Sequence, residues 1–223
     1  MVPLVLLRDT RFVVANVVTF TVYFSLSAIL FFLPMTVVSA WHLPEISAAA
    51  AAVAPLSVFI GRLVLRVGAG RLIAFGATLI ATEILGMGLT DPWADFWRAT
   101  FPSAVFLGAG MAFIVTPLST VVMPGATQSS TGAASAVNNA VSRIAGLLAV
   151  ASMGSVAAWA YACTGGPIGF GLLKDRLAHV VATNARFQTI CLIATRLAIA
   201  SATLSFVFLR NPPHPTRAHS ASD

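Results

Sequence analysis

Charge is what this chain has least of: only 9% of its 223 residues are Asp, Glu, Lys or Arg, and only seven are acidic. A soluble domain carries about a quarter charged residues, so a water-facing shell of ordinary size is excluded. Cysteine is nearly absent too. Cys163 and Cys191 are too few for a disulfide-framed scaffold, and with the segment between them undetermined, two isolated apolar thiols are the plain reading and a bridge the alternative. His42, His179, His214 and His219 are expected in loops or the tail without metal-ligand spacing, so no metal centre is predicted. No nucleophile–base pair and no phosphate-binding glycine loop is visible, which points away from an enzyme and from a bound cofactor.

What fills the chain instead is hydrocarbon, at 58% hydrophobic residues. A helix rises about 1.5 Å per residue, so roughly 20 apolar residues cross a hydrocarbon core of about 30 Å. Six stretches meet that length: Val13 to Val38, Ile46 to Leu65, Leu72 to Leu89, Ala99 to Met123, Gly132 to Ala160 and Thr189 to Leu209, named spans A to F in order. They predict an all-α membrane protein in which residues 1–12 form a cytoplasmic lead, 13–209 the bundle and 210–223 a cytoplasmic tail. What remains is too short for a second, water-soluble domain. Arg8 and Arg11 stand directly before span A without a preceding signal-peptide pattern, so span A is expected to stay in the product.

The net charge of +6 comes from arginines dispersed among loops and span ends, a pattern of membrane topology rather than of nucleic-acid binding. Six spans put both termini on one side. With the termini in the cytoplasm, Arg8, Arg11, Arg62, Arg66, Arg71, Arg210 and Arg217 lie inside, and Arg98, Lys174, Arg176 and Arg186 outside. Trp41, Trp93, Trp97 and Trp159 then fall near outer span ends, where an amphipathic ring favours the headgroups. The lipid bilayer of the cell is thus the first partner implied.

Several polar side chains interrupt the apolar spans. On span E, Gly132, Ser135, Asn139, Arg143 and Gly146 share one helical stripe, with Asn138 and Ser142 at its edges. Arg143 either lines a water-filled path and contacts anions or carboxylates, or snorkels to the cytosolic surface while the asparagines join helices. Span A carries Asn16, Thr19, Tyr23 and Ser27 at similar spacing, read equally as a cavity wall or as helix packing. Gly108, Ala112 and Thr116 in span D predict close packing. Glu83 lies about eleven residues into span C, roughly 16 Å deep. It is either a proton-coupling carboxylate or one neutralised by protonation or by pairing with Arg143 or Arg196. The segment 161–188 opens on a Gly/Pro cluster, continues into a possible interfacial helix at Leu172 to Leu177, and suggests no chemistry.

The run Gly132-Ala-Ala-Ser-Ala-Val-Asn-Asn-Ala-Val-Ser-Arg-Ile-Ala-Gly146 resembles the corresponding region of drug:proton antiporters of the major facilitator superfamily, the fourteen-helix multidrug efflux type. The resemblance extends to Leu7-Arg-Asp-Thr-Arg-Phe12 with Asn16, to Phe31-Phe-Leu-Pro34, and to Gly108-Ala-Gly-Met111 with Thr116-Pro-Leu118. It covers nearly the whole chain, as the carboxy-terminal half of such a protein. The loop holding Gly61, Arg62, Leu63, Arg66 and Gly68 is similar to the superfamily's cytoplasmic loop motif, with Leu65 at the position the family fills with an acid. The resemblance implies a half-bundle of two inverted three-helix repeats, in which Pro34-Met-Thr-Val-Val38 of span A echoes Pro117 to Val122 of span D. It further implies proton-coupled efflux of small amphipathic compounds, with Asn16, Tyr23, Asn138, Asn139 and Arg143 as substrate-path or inter-half contacts. An amino-terminal half, or a second copy, is then needed to complete the cavity. A non-transporting scaffold, a regulatory subunit and a truncated gene relic are the alternative readings.

Overall fold

The computed structural model describes residues 8–36, 67–89, 100–122, 128–165 and 177–209. Their order is α1 (Thr10–Thr36), α2 (Ala69–Gly88), α3 (Thr100–Val122), α4 (Gln128–Cys163) and α5 (Leu177–Phe208), with no strand among the described residues. By length and composition α1, α2, α4 and α5 can each cross a bilayer, while α3 holds a shorter apolar core, Val105–Leu118. Helix is the form such sequences must take, because hydrocarbon offers no partner to a backbone N–H or C=O. The hydroxyls within these helices follow the same rule: Thr19, Thr36 and Thr78 donate to carbonyls four residues back, at 2.9 Å each.

Local signals set the helix ends. Asp9 Oδ1 accepts from the Arg11 amide at 2.8 Å and its carbonyl from the Val13 amide at 3.0 Å, an N-cap that starts α1. Gly68 begins α2 at φ 90°, a left-handed conformation that a side chain would strain. Span B and the motif residues Gly61, Arg62 and Arg66 lie outside the described residues, so of that loop Gly68 alone receives a structural role. Pro34 and Pro117 sit inside α1 and α3, where each removes one backbone donor from the ladder.

α5 packs against α1, α2 and α4; α3 lies on the far side of α2, and α4 also packs along α1. Ile29, Phe32, Ile80, Ile84, Phe187 and Ile190 fill the shared interior. Lipid tails are as apolar as these side chains, so van der Waals fit rather than escape from water holds such helices together. The closest fit is between α2 and α3. A Cβ added at Gly76 would stand 2.7 Å from the Gly110 carbonyl oxygen, and one at Gly110 would stand 2.6 Å from Ile80. Small residues therefore bring the two backbones together, and the Phe75 and Phe113 rings meet edge to face at 5.1 Å beside them. These contacts run in opposite order along the two chains, so α2 and α3 are antiparallel.

α1 and α4 run parallel. Thr19 meets Asn138, and Ser27 lies against Gly146, so both helices advance by eight residues (27 − 19 and 146 − 138) between the contacts. A parallel course is what the six-span order predicts for the first and fifth spans.

One boundary differs from the hydropathy pattern. α5 begins at Leu177, twelve residues before the predicted Thr189 (189 − 177 = 12). His179 and Arg186, assigned to an outer loop from the sequence, are helical and completely buried. Window hydropathy averages all faces of a helix. It therefore misses a turn whose polar groups are enclosed by protein on one side and whose other sides remain apolar.

Candidate functional site

The polar stripe of α1 meets α4 along one edge of that helix's own stripe. Asn16 is buried and its Nδ2 donates to the Phe12 carbonyl at 2.8 Å. One turn on, Thr19 Oγ1 lies 2.9 Å from the Ala15 carbonyl and 2.6 Å from Asn138 Oδ1. A hydroxyl has one hydrogen to give, so both contacts are satisfied together when the Asn138 amide presents its NH2 group to Thr19. Tyr23 is half-buried farther along α1, and Ser27 abuts Gly146. The α1 stripe therefore meets the edge of the α4 stripe as a polar seam, with Asn138 in contact across it.

Asn139 and Arg143 are not drawn into that seam. Both are exposed on α4, as is Gly132, and Leu147 beside them is 73% exposed. The face thus combines a guanidinium and an amide with large aliphatic side chains on a helix otherwise fit to cross a membrane.

Glu83 lies in the last third of α2, 7% exposed, on the side that faces α5. Its side chain lies near the thiol of Cys191 across that interface. Arg143 and Arg196, the partners weighed for it from the sequence, are both exposed. Cys163 and Cys191 are free thiols, the first exposed and the second buried.

Sequence reasoning missed a second polar cluster, where α4 ends and α5 begins. The Tyr161 hydroxyl lies 2.7 Å from His179 Nδ1, both side chains are buried, and the Arg186 guanidinium carbon stands 6.0 Å from the Tyr161 ring centroid. Thr183, wholly buried as well, shares their face of α5. The signal was present as His179, Thr183 and Arg186 at i, i+4 and i+7, one helical stripe. Among the described residues no group of three or more His, Cys, Asp or Glu side chains is placed to hold a metal ion.

Four helices able to cross a bilayer, packed into one bundle that encloses ionisable groups, define a multi-helix membrane-embedded protein. No protein-family model matches the chain, and no curated protein matches it.

Proposed function

We propose that this chain is one six-helix half of a secondary active transporter of the major facilitator multidrug efflux type, exchanging protons for small amphipathic compounds. The reading places it in the cytoplasmic membrane with both termini in the cytosol. The observation that carries the reading is Glu83, a carboxylate enclosed between α2 and α5 of a membrane-embedded bundle. Ionisable groups inside a membrane bundle are costly and mark ion and proton routes. In this reading Glu83 takes up and releases the coupling proton. Asn139 and Arg143, exposed on α4, line the path or meet the opposite half, while Asn16, Tyr23 and Asn138 brace the wall behind them.

Alternating access rocks two bundles about a central site, so the opposite wall comes from an amino-terminal half or from a second copy. The test is dye–proton exchange in proteoliposomes with an imposed pH gradient, followed with a cationic dye and an internal pH indicator. The chain alone should move no dye, and joined to a second six-helix bundle it should exchange dye for protons. Glu83→Gln in that pairing should bind dye without proton exchange. Exchange by the lone chain would instead identify a second copy as the other wall. Failure of every pairing to move dye, or undiminished proton exchange with Glu83→Gln, overturns the proposal.

The depth of Arg143 favours a second reading. It lies 16 residues from Trp159 (159 − 143), hence about 24 Å along α4. If the largely exposed Trp159 marks one headgroup region, an extended guanidinium at Arg143 reaches the other without a cavity. A scaffold or regulatory subunit of the membrane would need no more than this.

A further inference from the structure

The polar contact where α4 ends and α5 begins stands apart from Glu83 and from the α1–α4 seam. Tyr161 lies in the last turn of α4 and His179 in the first turn of α5, and among the described residues each side chain has no hydrogen-bond partner but the other. Their 2.7 Å contact can be made in two ways. If the phenol accepts from an Nδ1 hydrogen, its own hydrogen and the Nε2 lone pair are both stranded, whereas if it donates to Nδ1 only the Nε2 hydrogen is. Unmet buried groups are expensive, so the donating arrangement is the stable one and the neutral ring carries its hydrogen on Nε2. The two rings also meet edge to face, with centroids 5.8 Å apart.

A proton on Nδ1 takes away the acceptor that the phenol needs. The phenol must then turn and accept, which leaves its own hydrogen and the Nε2 hydrogen both unmet, in a place where the two side chains are buried. Arg186, whose guanidinium carbon stands 6.0 Å from the Tyr161 ring, is a donor only and offers no acceptor to either hydrogen. Among the described residues no acid faces the ring. α2 brings Glu83 near Cys191, twelve residues along α5 (191 − 179), and α1 brings Tyr23 two residues from Ser25, which meets Ala194. Lys174, Asp175 and Arg176 lie outside the described residues. The closed pair therefore selects the neutral ring.

This end of the bundle takes its protons from water. α5 has 32 residues and is about 48 Å long, against a hydrocarbon core of about 30 Å. Its last turn exposes Phe206, Val207 and Phe208, which belong in hydrocarbon. Counting back roughly 20 residues from Phe208 reaches Thr189. His179 is ten residues nearer the start of the helix (189 − 179), hence about 15 Å beyond the hydrocarbon.

We propose that Tyr161 and His179 form a pH-sensitive latch between α4 and α5, closed while the ring is neutral and parted when it takes up a proton. Parting exposes the imidazolium to water, which accepts from both of its N–H groups. Histidine ordinarily titrates near pH 6.5, so the latch is complete well above about that pH and is lost as the pH falls below it. Helix ends open locally at far less cost than a whole bundle, so the Thr19–Asn138 and Gly76–Gly110 contacts persist when the latch parts. The latch does not depend on the transport proposal.

The experiment uses the full chain in detergent micelles, with nitroxide labels on the native Cys163 and on Leu177→Cys, both exposed, in a Cys191→Ala background. Spin–spin distances are measured from about pH 8 down to about pH 5, which brackets the ordinary histidine range. With Tyr161 and His179 intact, a short distance should dominate at the alkaline end and a longer population should grow toward the acid end. His179→Gln cannot take up the proton and should give the same distribution throughout. Tyr161→Phe loses the bond but retains the ring, so the longer population at the alkaline end should rise about tenfold, the value of one hydrogen bond. If either variant fails to fold, imidazole nitrogen NMR shifts decide, read with His42, His214 and His219 replaced. The neutral His179 ring should carry its hydrogen on Nε2, and its titration should coincide with the change of distance. A distribution independent of pH, a transition undiminished in His179→Gln, or a neutral ring with its hydrogen on Nδ1 overturns the proposal.

Discussion

Thr19 on α1 and Asn138 on α4 are separated by 119 positions in the chain and by 2.6 Å in space. Their contact fixes the axial register of two parallel helices, since moving either by one residue would turn the hydroxyl away from the amide. It also gives Thr19 of the α1 stripe and Asn138 at the edge of the α4 stripe a purpose that needs no ligand.

The expected strength of that contact is modest. A double-mutant cycle on Thr19→Val and Asn138→Ala, read by unfolding in mixed micelles, should return a coupling of about 0.6 to 1.7 kcal/mol, the range of hydrogen bonds between membrane helices. Strictly additive single effects would show that the register is set by packing alone.

Glycine substitutions should separate sharply by position. Gly76→Ala puts a methyl group 2.7 Å from a backbone oxygen that cannot turn aside, so α2 and α3 must part and the unfolding midpoint should fall by several degrees. Gly86→Ala meets nothing within 4 Å in the same helix and should be neutral or slightly stabilising, by at most about 1 kcal/mol. Equal losses at both positions would contradict the close approach at Gly76.

The long helices were legible in the sequence because their apolar content far exceeds what any other structure could bury, and α1 through α4 start and stop within a few residues of the hydropathy pattern. α5 was not. Its first turns carry His179, Asn184 and Arg186, which composition alone reads as a solvated loop, and only their helical spacing shows that His179 and Arg186 turn inward together. Site residues were legible as types but not as neighbours. Glu83 was recognised as buried, yet its proximity to Cys191 depends on which helix α2 packs against, and no local pattern encodes that.

Labelling of single cysteines on α4 tests the exposed face directly, in a background where Cys163 and Cys191 are replaced. Under the transport reading, cysteines at Asn139 and Arg143 should react with a water-soluble thiol reagent, and those at Leu147 and Leu148 only with a lipid-soluble one. If all four behave like the leucine positions, the water-filled path along α4 is wrong.

The two native thiols should differ in the same assay. Cys163 is exposed at the end of α4 and should be alkylated in the folded protein within minutes, whereas Cys191 should react only after denaturation. A count of one accessible thiol folded and two unfolded, unchanged by reductant, is the expected result. Loss of both thiols without reductant would reveal a bridge and a different packing of α5.

The helices of this bundle also differ greatly in reach. α4, with 36 residues, is about 54 Å long, while α2, with 20, is about 30 Å, barely the thickness of a hydrocarbon core. α2 has little freedom to slide, being fitted against α3 at Gly76 and against α5, where a Cβ on Gly88 would stand 2.7 Å from Cys191. A thicker bilayer is therefore matched on the α4 flank by a change of tilt, but on the α2 flank the lipids themselves must shorten. The molecule deforms its surroundings on one side only, and membranes rich in long-chain or rigid lipids should exclude it for that reason.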